Sequence, residues 1–143
     1  MPAWHGGHMQ HSQSENGFSL IELMIVLAIV AILASVTIPS YTDYVYKSRR
    51  SDAIAALLQL QLAQEAWRAR RGRYGTDLAG LGWPDGRVAG GHYRLRLQVT
   101  AGGWLAVAEP QGPQAGDPCD RLAVDARGPV LGGPFGGRDC WNR

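Results

Sequence analysis

A chain of 143 residues, with 45% hydrophobic residues and a formal net charge of +2, has the length of a single domain. Its apolar residues are concentrated before residue 40. The polar, glycine-rich remainder can bury only a small core, which a crosslink or an oligomer would help to hold. The sequence contains no recognisable nucleophile–base pair, paired catalytic carboxylates, metal-ligand set or phosphate-binding loop, so it predicts neither an enzyme nor a cofactor.

The first element is an almost wholly apolar segment from Phe18 to Ile38 that carries one carboxylate, Glu22. As a helix, at ~1.5 Å per residue, it would span about 31 Å, close to the hydrocarbon thickness of a bilayer. A buried soluble helix would need other apolar segments around it, which the chain lacks. A removable secretory signal would need a basic region before it, and residues 1–17 contain no Lys or Arg. We therefore predict a retained membrane helix.

Two roles are open for Glu22. Ser19-Leu20-Ile21-Glu22 fits a capping box with Ser19 as N-cap, and the helix dipole also favours a carboxylate in the first turn. Alternatively, the carboxylate has a cationic partner inside the membrane, where an unpaired charge is costly. The spacing of these residues alone leaves both roles open.

The stretch Gly17-Phe18-Ser19-Leu20-Ile21-Glu22 resembles the class III signal of type IV prepilins. The likeness extends past the apolar run to Pro39, Tyr41, Tyr44, Arg49, Arg50 and Ser51-Asp52-Ala53. It implies that a membrane prepilin peptidase cuts between Gly17 and Phe18 and methylates the new amino group of Phe18. It also implies that Glu22 pairs with that amine on a neighbouring subunit as helices stack in a filament. Capping and pairing are compatible, and with this resemblance we favour pairing.

Residues 1–17, the leader in this resemblance, depart from the family pattern because no Lys or Arg precedes Gly17. A start at Met9 would give a leader closer to the usual length. The leader also contains His5, His8 and His11. No further ligand lies near them in a segment that is removed, so we expect no metal site there.

Helical patterning continues beyond the apolar run. Pro39 is expected to kink the helix at the membrane edge rather than end it. An apolar stripe then predicts one face packed on a globular head; its members are Ile54, Leu58, Leu62 and Ala66, with Leu57, Leu60 and Trp67 alongside. We expect the helix to stop at Arg71 and Gly72 to cap it.

Glycines and a proline mark residues 72–91 as a loop, whose large side chains we expect to lie on the head: Tyr74, Leu78, Leu81 and Trp83. Alternation in residues 92–99 predicts a strand with Tyr93, Leu95, Leu97 and Val99 inward. A turn at 101–103 leads to a second strand at 104–109, and further strands are expected at 122–125 and around 129–131. The predicted fold class is α+β, with a long N-terminal helix packed on a small antiparallel sheet.

Two cysteines, Cys119 and Cys140, follow the membrane-targeting segment and predict a disulfide made in an oxidising compartment. Two reduced cysteines in a cytosolic protein are the alternative. The region resembles the disulfide-closed C-terminal region of type IV pilins, and its Asp139-Cys140-Trp141 ending is most like the group called PilE in gamma-proteobacteria. Asp117, Asp120 and Asp125 are only faintly like a calcium cluster, and we expect solvated loop acids.

A cationic set could neutralise DNA phosphates: Arg68, Arg70, Arg71, Arg73, Arg87, Arg94 and Arg96. A solvated basic face or subunit contacts is the interpretation that we prefer. DNA binding, as in a pilin for DNA uptake, is the alternative, and a type II secretion pseudopilin is another, weakened by the cysteine pair.

The sequence pattern, together with the resemblance to type IV prepilins, predicts a cleaved leader (1–17), a transmembrane and filament-core helix (18–39), its amphipathic continuation (40–71), and a β head (72–143) with a disulfide-bounded loop (119–140). From the resemblance we expect a structural subunit, a minor pilin, that supports pilus biogenesis, twitching motility and adhesion. Its partners would be other pilins, the prepilin peptidase and the inner-membrane assembly platform. The chain would span the inner membrane once with its head in the periplasm, and would be extracellular in the pilus.

Overall fold

A single helix, α1, runs from Leu20 to Arg71 and precedes all of the strands. The computed structural model describes residues 17–142, apart from the side chain of residue 39. The expectations for Met9, His5, His8 and His11 therefore lie outside the described residues. The chain divides between residues 39 and 40 into two compact units.

In the first unit, α1 continues through residue 39 without ending, and its large apolar side chains are exposed. The kink at Pro39 stays a prediction. In the second unit, Gly72 ends the helix as expected. Its N–H donates to the carbonyl of Arg68 at 2.8 Å, and its φ of +70° is a left-handed conformation that glycine adopts without strain.

The sheet has four antiparallel strands in sequential order: β1 (Tyr93–Thr100), β2 (Gly103–Pro110), β3 (Leu122–Asp125) and β4 (Gly128–Val130). A 3₁₀ helix, Gly112–Gly116, joins β2 to β3, and a short helix α2, Arg138–Trp141, follows β4. The predicted strands and the α+β fold class are confirmed. Neither the 3₁₀ helix nor α2 was predicted from the sequence.

The core forms between α1 and the sheet. Ala53, Leu57 and Leu60 of α1 are fully buried together with residues of all three longer strands. The loop that follows α1 is also attached to it: the Gln64 amide donates to the carbonyl of Gly75 at 3.1 Å and accepts its N–H at 2.8 Å. Tyr74, Leu78, Leu81 and Trp83 pack on this core as predicted.

The predicted helix stripe is partly wrong. Exposure rises along it, from 8% at Ile54 to 39% at Leu58 and 70% at Leu62, and Ala66 is also exposed. With 3.6 residues per turn, each step of four residues overshoots a full turn by roughly 40°, so a series spaced only by four leaves the core face. The buried face instead alternates steps of three and four.

The expected inward position of Val99 is also wrong. Burial along β1 decreases from 1% exposure at Tyr93 and 2% at Leu95 to 40% at Val99, with Leu97 intermediate. Alternation places all four side chains on one face of the strand, but it does not say how far the core extends along it. The last part of β1 lies beyond the core.

Candidate functional site

The start of α1 has a side-chain cap. The Oγ of Ser19 accepts the N–H of Glu22 at 3.3 Å, and the carbonyl of Ser19 accepts the same N–H at 3.1 Å. Ser19 is therefore the N-cap, as the sequence indicated. The cap uses the backbone of Glu22, whereas its carboxylate is exposed in the first turn and makes no ion pair with any of the described residues.

The apolar part of α1 is an uncovered hydrophobic surface. Leu20 is 79% exposed and Leu27 68% exposed, and the helix is long and apolar enough to cross a membrane. Its hydroxyl groups are satisfied internally, since Ser35 donates to the carbonyl of Ile32 at 2.7 Å and Thr37 to that of Leu33 at 2.8 Å. Such a surface fits hydrocarbon or other apolar helices, because the hydroxyl groups of Ser35 and Thr37 do not need water as a partner.

The head contains a buried ion pair that was not predicted from the sequence. Arg50 of α1 lies with its Nε 2.7 Å from Oδ2 of Asp117, whose side chain is fully buried. The contact is an ion pair by distance, because the N–H direction does not make it a hydrogen bond. Oδ1 of the same carboxylate accepts the N–H of Cys119 at 3.0 Å. Asp117 therefore connects α1 to the first residue of the disulfide.

Two further buried side chains complete this cluster. The Nε2 of Gln114 donates to Oδ2 of Asp117 at 2.9 Å and to the hydroxyl of Tyr93 at 3.0 Å. It also lies 3.4 Å from the carbonyl of Tyr46. We call Arg50, Tyr93, Gln114 and Asp117 the buried polar cluster. It links the helix, β1 and the 3₁₀ helix at one point.

The predicted disulfide is confirmed: the sulfurs of Cys119 and Cys140 are 2.06 Å apart. Cys140 and Trp141 pack against the core from α2, and Gly136 donates its N–H to the carbonyl of Arg121 at 2.8 Å. The bond therefore closes the C-terminal loop onto the edge of the core.

The candidate arginines lie in several places. Arg68 and Arg73 line a cleft of about 500 Å³ between the end of α1 and the β1–β2 turn. Arg87 and Arg94 line a smaller cleft of about 200 Å³. The guanidinium of Arg96 lies 2.8 Å from the carboxylate of Glu109.

Arg70 and Arg71 belong to the last turn of α1, where cations complement the helix dipole. Arg71 stacks 4.5 Å above the ring of Trp67, and Arg68 donates to the hydroxyl of Tyr74 at 2.9 Å. Two pairs of the seven arginines therefore share clefts that no Asp or Glu lines: Arg68 with Arg73 in the larger cleft, and Arg87 with Arg94 in the smaller one.

Among the described residues there is no group of three or more metal-ligating side chains. The three aspartates considered for calcium have other contacts. Asp117 faces Arg50, Asp120 lies 3.8 Å from Arg121, and Asp125 accepts the N–H of Arg127 at 2.7 Å.

Two family comparisons cover most of the chain. A family described as a prokaryotic N-terminal methylation motif matches residues 12–38. A family described as "Type IV minor pilin ComP, DNA uptake sequence receptor" matches residues 39–123, more than half of the chain. The chain belongs to this family of type IV minor pilins.

Relatives of this pilin include major pilins. It is 36% identical over 105 residues to the type IV major pilin protein PilA of Myxococcus xanthus, covering 72% of this chain and 47% of the relative. It is 35% identical over 88 residues to the type IV major pilin protein PilE of Neisseria gonorrhoeae, covering 62% and 53%. The chain thus spans about half the length of these relatives. The resemblance to type IV pilins is confirmed.

The buried polar cluster gives the pilin a pH-dependent stability at alkaline pH. Burial raises the pKa of the Tyr93 phenol from 10.0 to about 12, and the nearby Asp117 charge adds to the rise while the Gln114 hydrogen bond opposes it. The folded protein keeps the phenol proton where the unfolded chain loses it. The contribution of Tyr93 is therefore complete below pH 10 and is lost as the pH rises through about 12.

We expect the free energy of unfolding to fall by roughly 3 kcal/mol across this interval. Tyrosinate absorbance of the full chain would measure phenol ionisation, and near-UV circular dichroism would measure unfolding, across this pH interval. Tyr93→Phe cannot ionise and should flatten the pH dependence between 10 and 12. Equal pH dependence of the two proteins would contradict the assignment to Tyr93.

Proposed function

We propose that this pilin is a minor subunit of a type IV pilus, made as a prepilin and assembled through α1. The observation that carries the proposal is the exposed apolar surface of α1, which begins directly after Gly17-Phe18 inside the matched methylation motif. A surface of this kind requires a membrane before assembly and apolar partner helices afterwards. Before assembly the subunit lies in the inner membrane with its head in the periplasm, and after assembly it lies in the pilus.

The proposed parts have distinct roles. Residues 1–17 are the leader, 18–39 the membrane and filament-core segment, 40–71 the amphipathic continuation, and 72–143 the head. The prepilin peptidase cleaves after Gly17 and methylates the amine of Phe18, and the assembly platform then passes the subunit to other pilins. In the filament, Glu22 pairs with the amine of a neighbouring subunit. Twitching motility and adhesion are the activities that such a subunit supports.

Processing can be tested on the protein itself. We expect the mature chain recovered from sheared pili to begin at Phe18 with a methylated amine. Phe18 is 76% exposed and precedes the first turn of α1, so α1 does not hinder access to the Gly17–Phe18 peptide bond. Intact-mass and N-terminal analysis would measure it. Recovery of the chain with residues 1–17 attached, from cells with an active peptidase, would overturn the proposal.

A second candidate function is DNA reception for uptake. The matching family is described as a DNA uptake sequence receptor, and Arg68 and Arg73 share a cleft free of carboxylates. Two guanidinium groups at one cleft can neutralise phosphates of a single DNA strand. Arg96 offers a weaker contact because Glu109 already lies 2.8 Å from it.

We expect the detergent-solubilised pilin to bind duplex DNA in a salt-dependent manner. Arg68→Gln with Arg73→Gln should weaken binding and lower the slope of log affinity against log salt by about 2, since two phosphate contacts are removed. Arg96→Gln is the matched control and should change the slope little. Fluorescence anisotropy over a salt series would measure both. Absence of binding at low salt would exclude this second function.

A further inference from the structure

The outer edge of β1 is paired over only part of its length. The N–H of Val88 donates to the carbonyl of Tyr93 at 3.1 Å, and the N–H of Leu95 donates to the carbonyl of Gly86 at 2.7 Å. Arg87 and Arg94 form an antiparallel bridge between these bonds. Residues 86–88 therefore act as a short fifth strand beside the first half of β1.

Gly86 is the first residue of this short segment that bonds to β1, and the residues before it turn away from the strand. The φ of Gly86 is +67°, and a Cβ at this position would lie 3.0 Å from the carbonyl oxygen of Leu95, so glycine is needed for both the turn and the close approach. Beyond Leu95, which is the last residue of β1 bonded to this segment, residues 86–88 no longer cover the edge of β1.

The open part of this edge carries a row of backbone groups. Backbone groups alternate in direction along a strand, so Leu97 and Val99 present their N–H and C=O on the same side as Tyr93 and Leu95. Within residues 17–142, neither Leu97 nor Val99 has a hydrogen-bond partner on that side. Two N–H and two C=O groups are therefore available for another strand.

A groove follows these groups. One cleft of about 400 Å³ lies against Leu95–Leu97, and the cleft of about 500 Å³ with Arg68 and Arg73 lies against Val99 and Thr100. Thr76 lines both clefts, so they adjoin. The loop that forms the other wall is held to α1 by the two Gln64–Gly75 hydrogen bonds. The groove is therefore part of the folded head.

At its end near the β1–β2 turn, the charged side chains that line the groove are all positive. Arg68 and Arg73 line this end, and none of the residues that line it is Asp or Glu. An occupant with carboxylates is therefore favoured.

We propose that the open half of the β1 edge, Leu97–Thr100, binds an extended acidic segment of a partner protein as an added strand. Main-chain hydrogen bonds to Leu97 and Val99 would supply affinity, and Arg68 and Arg73 would select acidic side chains. A second copy of β1 fits less well, because it would bring Arg94 and Arg96 towards these arginines. Duplex DNA supplies charge but no row of amide groups to pair with the strand.

The probe for this proposal is an eight-residue fluorescent peptide of alternating valine and glutamate, added to the full-length pilin in detergent. We expect it to bind, and we expect the same peptide with alternate amides N-methylated to bind at least about tenfold more weakly, since it keeps the charge and loses the donors. A peptide with lysine in place of glutamate should also bind weakly. Equal binding of the methylated peptide would overturn strand addition.

Amide hydrogen exchange distinguishes pairing from simple charge attraction. The amides of Leu97 and Val99 should exchange at least about tenfold more slowly with the acidic peptide bound, while that of Leu95, which is already bonded, should change little. If duplex DNA protects Leu97 and Val99 and the peptide does not, the groove is a DNA site and the proposal is wrong.

Variants of the pilin complete the test. Val99→Pro removes an N–H that faces the groove and that the β1–β2 ladder does not use, so the fold should persist and the peptide should bind at least about tenfold more weakly. Val99→Thr keeps the N–H and should bind within about twofold of the parent. Arg73→Glu should weaken binding of the acidic peptide about tenfold, whereas Arg127→Glu, at the β3–β4 turn, is the charge control. Unchanged binding by both Val99→Pro and Arg73→Glu would overturn the proposal.

Discussion

Replacing Asp117 with alanine is expected to lower the free energy of unfolding of the head by about 3–5 kcal/mol. The change leaves Arg50, which is 8% exposed, with its charge uncompensated inside the protein. It also removes the acceptor for the N–H groups of Gln114 and Cys119. Thermal unfolding of the full chain in detergent, followed by near-UV circular dichroism, would measure the loss.

The matched control is Glu109→Ala, which removes the carboxylate of an exposed ion pair of similar distance, 2.8 Å to Arg96 against 2.7 Å for the buried pair. Exposed pairs contribute only about 0–1 kcal/mol because solvent screens them, so this variant should be nearly as stable as the parent. Similar losses for the two variants would contradict a special role for the buried pair.

A double variant separates charge from packing. Arg50→Met with Asp117→Leu removes both charges and retains apolar volume, so it should be more stable than Asp117→Ala alone. If the double variant is the less stable of the two, the buried polar cluster contributes through its hydrogen bonds rather than through the ion pair.

The sequence predicted those parts of the fold whose signals are local. The apolar run, the end of α1 at Gly72 and the alternation of β1 each depend on neighbouring residues, and each element was found. The disulfide was also predictable, because two cysteines allow one pairing. The extent of burial was not, since exposure of Leu62 and Val99 depends on where the core ends rather than on spacing.

The buried polar cluster could not have been predicted from the sequence. Arg50 follows another arginine, and Asp117 is one of several aspartates near Cys119, so residue type alone does not mark either of them. They meet because α1 and the 3₁₀ helix pack together, a contact between distant parts of the chain. The open edge of β1 could not be predicted from the sequence either, because it depends on how far along β1 residues 86–88 pair with the strand.

The role of Glu22 in assembly leads to the second large expected effect. In the proposed filament its carboxylate meets the amine of Phe18 on another subunit, inside a bundle of apolar helices. Glu22→Gln keeps the shape of the side chain but removes the attraction and leaves that amine unpaired, at a cost of several kcal/mol. We expect processing at Gly17-Phe18 to continue, and incorporation into pili to fall by about tenfold or more.

Ser19→Ala is the control that the cap geometry provides. It removes the Oγ that accepts the Glu22 N–H at 3.3 Å and leaves the carboxylate in place. Loss of an N-cap costs about 1 kcal/mol, so this variant should enter pili nearly as well as the parent. The measurement compares membrane and sheared-pilus fractions of each variant in a strain that lacks the native copy. Normal recovery of Glu22→Gln in pili, or a larger loss for Ser19→Ala, would show that capping is the role that matters and that charge pairing is not.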